Sequence, residues 1–87
     1  MADAIDVTSR IEEDREKIDG LDVRIIELLV QRARISARIQ QSRINSGGPR
    51  MVFSREIDIL ARYRYGLGAD GTKIAMNVLK LCRGEAL

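Results

Sequence analysis

The sequence predicts an all-α fold: three helices per chain, one of them very long, forming an intertwined helical homodimer. Two observations predict the helices and a third predicts the pairing. Apolar residues recur at three- and four-residue spacing, with no strand-like alternation. Only two breaks interrupt that pattern, a strong one at Asn45-Ser-Gly-Gly-Pro49 and a softer one at Gly66-Leu-Gly-Ala-Asp-Gly71. The first helical segment is too long for the rest of its own chain to cover. The 87 residues are enough for a single domain, 1–87, and not for two.

The first segment, about Ser9 to Asn45, carries a heptad. Ile11, Ile18, Ile25 and Ile39 fall seven apart, and Leu21, Leu28 and Ile35 fill the partner column, which starts at Asp14. Thr8 or Ser9 is placed to cap its start, with Glu12 and Glu13 near the positive end of the helix dipole. Such a helix is roughly 55 Å long, whereas a compact domain of this size has a radius of gyration near 12 Å. A second chain lying along it is the simplest cover. The second segment, about Met51 to Tyr65, sets Phe53, Ile57 and Leu60 on one stripe and Val52, Glu56, Ile59 and Tyr63 on the next. The third starts near Asp70, a good cap, and runs through Ile74, Val78, Leu81 and Cys82 until Gly84 stops it.

Composition narrows the function. The chain has one cysteine and no histidine, which removes an internal disulfide framework and leaves a zinc site without its usual ligands. No metal and no cofactor is expected. No run of about eighteen apolar residues is present to span a membrane. The acidic amino terminus lacks the layout of a signal peptide, so the cytoplasm is the expected compartment. The net charge of +2 is too small to argue for nucleic acid, but twelve of the fifteen basic residues are arginine. Arginine suits planar carboxylates and phosphates, which it holds through paired hydrogen bonds. A codon bias would give the same excess, so position has to decide.

Position singles out three residues. The heptad asks for an apolar side chain at position 32 and finds Arg32. A buried guanidinium needs an anion, whether from an internal salt bridge or from a ligand. Arg43 lies eleven residues on, three helical turns, and so on nearly the same face. Glu56 interrupts an apolar stripe of the second helix, with Arg55 beside it. The Gly47-Gly48 loop is expected to fold that helix back, antiparallel, so that two cations and a carboxylate converge inside a helical bundle. A small ligand with two carboxylates and a hydroxyl would satisfy them. Cys82 falls in an apolar stripe, where it packs rather than attacks. With no Ser-His or Cys-His pair, the site suits a reaction that needs only positioning and electrostatics, such as a pericyclic rearrangement of a dianion.

The residues Arg15-Glu-Lys-Ile-Asp-Gly-Leu-Asp22, Ile25-Ile-Glu-Leu-Leu29, Arg32, Arg43, Ser46-Gly-Gly48 and Ser54-Arg-Glu56 resemble the all-helical chorismate mutase family. The likeness runs from about Ile11 to Leu81, and the Ser-Gly-Gly loop and Cys-Arg-Gly ending are similar to its short bacterial branch. It implies a Claisen rearrangement of chorismate to prephenate, in phenylalanine and tyrosine biosynthesis. By the same resemblance Arg15 and Arg32 bind the two substrate carboxylates, and Arg43 reaches a carboxylate and the breaking ether oxygen. Glu56 holds the ring hydroxyl with help from the backbone at Val52, and Arg55 supports a carboxylate. Arg15 is implied to enter from the other subunit. Its distance along the helix agrees, since seventeen residues separate it from Arg32 by roughly 25 Å.

Two positions depart from the family. Arg43 stands where many members have lysine, and the late glutamine that gives a second donor to the ether oxygen has no counterpart. Arg83 or a rearranged tail is left to substitute, and modest activity is expected from the isolated protein. The short branch also implies DAHP synthase as a partner. Relatives on the same scaffold rearrange 4-amino-4-deoxychorismate or act as isochorismate pyruvate lyases, and the residues leave these open. A non-enzymatic helical dimer or nucleic-acid binder is the remote reading, through Gln31-Arg-Ala-Arg-Ile-Ser-Ala-Arg38. Against it, Arg34 and Arg38 lie on a different face from Arg32, as on a solvated surface.

Overall fold

A computed structural model describes residues 4–49 and 52–84 of the chain. Three helices follow one another, α1 (Ala4–Asn45), α2 (Phe53–Leu67) and α3 (Gly71–Arg83), with no strand among the described residues. Helix α1 has 42 residues and sets the shape. The molecule measures 67 × 24 × 18 Å, and its radius of gyration is 18.6 Å.

The start of α1 differs from the sequence expectation. The helix is already formed at Ala4, so Thr8 and Ser9 lie within it and do not cap it. No breaker separates Ala4 from Ser9, and an interior threonine or serine weakens a helix by only about 0.5 kcal/mol. Asp6, ahead of Glu12 and Glu13, is the acidic residue of the first turn. At the far end the predicted loop is a built stop. Gly48 N–H donates to the Arg43 carbonyl at 2.7 Å and Gly47 N–H to the Ile44 carbonyl at 3.1 Å. This pair of bonds needs a left-handed residue between them, and Gly47 supplies it with φ 76°.

Helices α2 and α3 form an antiparallel hairpin, and its closeness comes from Gly71. A Cβ there would sit 2.2 Å from the Tyr63 carbonyl oxygen, so only glycine lets the start of α3 approach the end of α2. Asp70 occupies the cap position of α3 but makes no side-chain cap hydrogen bond. Its backbone is already helical, and its carbonyl accepts the Ile74 N–H at 3.1 Å. Gly84 ends α3 in the left-handed conformation, as its position predicts.

It is α3, and not α2, that packs along α1. The hairpin's buried residues are Ile59 on α2 and Gly71, Ala75, Val78 and Cys82 on α3. On α2 the stripe turned inward is Val52, Glu56, Ile59 and Tyr63, whereas Phe53 and Ile57 face solvent. On α3, Ile74 and Leu81 are exposed although the sequence placed them with Val78 and Cys82. On α1 the half-buried residues are Leu29, Arg32, Ala33, Ser36, Gln40 and Arg43. The heptad residues Ile11, Ile18, Leu21, Ile25 and Leu28 are exposed. The chain thus has a small core under α3 and a long apolar seam that none of its described residues covers.

Candidate functional site

The three helices meet around one open cleft of about 230 Å³. From α1 come Arg32, Ser36, Gln40 and Arg43, from the start of α2 Val52, Arg55, Glu56 and Ile59, and from the end of α3 Leu79, Cys82 and Arg83. Five of the six residues singled out from sequence, Arg32, Arg43, Val52, Arg55 and Glu56, therefore line one wall-to-wall site. Arg15 does not. It lies far up α1, exposed, and pairs with Glu12 at 3.2 Å across one turn.

Each lining residue is held by the fold around it. Arg32 is half-buried, and its Nη1 donates to the Cys82 sulfur at 2.9 Å. That contact ties α1 to the last turn of α3. Arg43 sits in the final turn of α1, where its carbonyl accepts the Gly48 N–H and, at 3.1 Å, the Ser46 hydroxyl. The helix stop thereby fixes the backbone from which this guanidinium extends. Glu56 stands in the first turn of α2, and its N–H donates to the Val52 carbonyl at 3.2 Å. Its carboxylate is ion-paired with the Arg83 guanidinium from α3, and both side chains are about four-fifths buried. Arg55, next to Glu56, is exposed at the rim.

Four arginines against one carboxylate leave the lining with a formal excess of three positive charges. Such a wall favours a ligand carrying more than one negative charge, held by paired hydrogen bonds. Among the described residues no three His, Cys, Asp or Glu side chains gather as a metal site would require. None of the described helices is long and apolar enough to cross a membrane.

Two contacts of this site were not drawn from the sequence. Cys82 was read as packing, and it is buried, but its sulfur also faces Arg32. Arg83 was read as a stand-in for a missing glutamine, and its partner is Glu56. The signal was present, since 82 and 83 are the last residues before the Gly84 stop and so end α3 at the cleft. Which of them met which helix depended on α3 docking on α1, and no local pattern states that.

Fold and cleft together define a class: an all-helical protein with an arginine-lined cleft between its helices, suited by its charge to a small anion. Comparison with known proteins makes it particular. Residues 14–80 match the family described as chorismate mutase type II. The chain is 40% identical over 85 residues to the intracellular chorismate mutase of Mycolicibacterium smegmatis, a match spanning 98% of this chain and 82% of that one. It is 45% identical over 71 residues to the intracellular chorismate mutase of Mycobacterium tuberculosis, spanning 82% of this chain and 67% of that one. Among solved structures it is similar to a chain of a non-covalent complex of DAHP synthase and chorismate mutase from Corynebacterium glutamicum with a bound transition-state analogue. That likeness has a TM-score of 0.85 and 35% identity, over 90% of this chain and 94% of the other. The chain belongs to the chorismate mutase type II family, and it is an isomerase of the all-helical kind.

Proposed function

We propose that residues 1–87 act as one domain of an intertwined homodimer that rearranges chorismate to prephenate at two shared sites. The observation that carries this reading is the meeting of Arg32, Arg43, Arg55 and Glu56 in one cleft. Arg32 binds one substrate carboxylate, and Arg15 of the second copy binds the other. Arg43 reaches a carboxylate and the ether oxygen. Glu56 accepts from the ring hydroxyl beside the Val52 backbone, and Arg55 supports a carboxylate from the rim. In the rearrangement a carbon–carbon bond forms as the ether carbon–oxygen bond breaks, and all the electrons come from the substrate. Nothing has to be protonated, oxidised or attacked. The protein's part is to hold the compact conformer and to place cations where charge grows on the ether oxygen.

Area supports the dimer. The chain exposes 7325 Å², whereas a compact monomer of its mass exposes about 5,200 Å². The excess, about 2,100 Å², is of the size that obligate interfaces bury. The exposed seam of Ile11, Ile18, Leu21, Ile25 and Leu28 is where it would be buried, and a second copy lying antiparallel along it would carry its Arg15 toward the cleft. The open cleft, slightly below the about 300 Å³ usual for small-molecule sites, gains a wall from that second copy. The likeness to a mutase solved together with DAHP synthase supports that synthase as a partner. Relatives named intracellular support the cytoplasm as its compartment.

The test is loss of chorismate absorbance with the purified protein, alongside Arg32→Ala, with products separated by chromatography. Prephenate from the wild type and a fall of about 10²–10³ in kcat/KM for Arg32→Ala are expected, as loss of a charged contact to a substrate carboxylate would give. Near-normal turnover by Arg32→Ala would remove this residue from the site.

A further inference from the structure

Glu56 is the one carboxylate lining the cleft among the described residues, and Arg83 already neutralises it. The pair is built in from both sides. Glu56 is fixed in the first turn of α2, and Arg83 is the last residue of α3, adjacent to the cysteine that holds Arg32. A carboxylate offers about four acceptor positions, so one ion pair leaves Glu56 able to accept from a further group. A neutral hydroxyl uses such a position and brings no charge. A protonated amine at the same place brings a positive charge beside Arg83, in a wall that already carries three other arginines. No second carboxylate in the described lining balances it.

We propose that Arg83 is a specificity-determining residue: by occupying Glu56 it makes the cleft accept a ring hydroxyl and reject a ring ammonium. The substrate class is then a hydroxyl-bearing dicarboxylate, with 4-amino-4-deoxychorismate excluded by charge and not by size. This rests on the mutase reading above and sharpens it at one substituent.

The experiment compares kcat/KM for chorismate and for 4-amino-4-deoxychorismate in the wild-type protein, Arg83→Gln and Arg83→Lys. The wild type prefers chorismate by about a hundredfold or more, as a like-charge clash in a half-dry site would give. Arg83→Gln narrows that preference by about tenfold or more, chiefly by lowering KM for the amine. Arg83→Lys, which keeps the charge, keeps the preference. Comparable turnover of both substrates by the wild type, or an unmoved ratio in a folded Arg83→Gln, overturns the proposal while leaving the mutase reading intact. Turnover of neither substrate by the wild type overturns both. Should Arg83→Gln fail to fold, inhibition of wild-type chorismate turnover decides, because an amine that competes as tightly as chorismate binds contradicts the charge argument.

Discussion

The two halves of α1 are one continuous helix with opposite surroundings. From Asp6 to Leu28 every residue is exposed, including Ile11, Ile18, Leu21, Ile25 and Leu28, which stand 46–58% open to solvent. From Leu29 to Arg43 the helix is half-covered by α3 along Arg32, Ala33, Ser36, Gln40 and Arg43. The hydrophobic order is therefore reversed: the apolar half is bare, and the covered face is small, polar or charged. Apolar surface of this extent is stable in water only when something closes it. A polar face is worth covering only when it serves a ligand or a fixed partner. The bare half is thus the face that an interface would close, and the covered half is the one that lines the cleft.

The strongest way to break this division is to charge the seam. Leu21→Glu should separate the copies, leaving a chain without enough core to stay folded, and turnover should vanish with helicity at micromolar concentration. Sedimentation and circular dichroism at increasing concentration check it; a folded, active monomer would end the interface reading. A sharper version mixes two inactive variants, Arg15→Ala and Arg32→Ala, after joint unfolding and refolding. If each site takes Arg15 from one copy and Arg32 from the other, half of the dimers regain one intact site. Activity should then recover to about a quarter of wild type by random pairing. No recovery would put both arginines in the same chain's site.

The same division explains what the sequence made legible. Helix number, the Gly47-Gly48 stop and the Gly84 stop are local, written in glycine placement and 3.6-residue periodicity. Arg32 and Glu56 were legible because each breaks an apolar pattern, where a charge needs a partner, and Arg43 because it lies three turns from Arg32 on nearly the same face. Two kinds of feature were not legible. Thr8 and Ser9 have capping chemistry, but a cap is needed only where a helix stops, and nothing upstream stopped it before Ala4. The other is the docking of α3 on α1, which joins residues fifty apart, as Arg32 and Cys82 are. The covered positions there include the small side chains Ala33, Ser36 and Ala75, which read as surface or filler in any local window.

A middle-sized effect tests the hairpin that carries the site. Gly71→Ala puts a methyl 2.2 Å from the Tyr63 carbonyl oxygen, against backbone that has no rotamer to give way. Moving α3 off α2 by enough to relieve it should destabilise by about 1–3 kcal/mol. Thermal unfolding should show a melting temperature at least about 5 °C lower. A shift of α3 as one rigid rod would carry Arg83 away from Glu56 and lower kcat/KM as well. Gly66→Ala, inside α2 with nothing within 4 Å, should lower neither and should raise the melting temperature slightly.

The smallest effect separates packing from positioning at Cys82. Its sulfur is buried and accepts from Arg32, so removing it alters both the filling of the α3 stripe and the aim of a guanidinium. Cys82→Ser keeps an acceptor at nearly the same place, and Cys82→Ala keeps none. A hydrogen bond to a side chain of this kind contributes about 0.5–1.5 kcal/mol net. Chorismate turnover should therefore stay within about threefold of wild type in Cys82→Ser and fall by up to about tenfold in Cys82→Ala. The loss should appear as weaker substrate binding, since Arg32 would still be present but free to point elsewhere. Cys82→Val, which restores bulk without an acceptor, decides the case. If valine behaves like serine, Cys82 only fills space; if it behaves like alanine, the thiol aims the arginine at the end of α3.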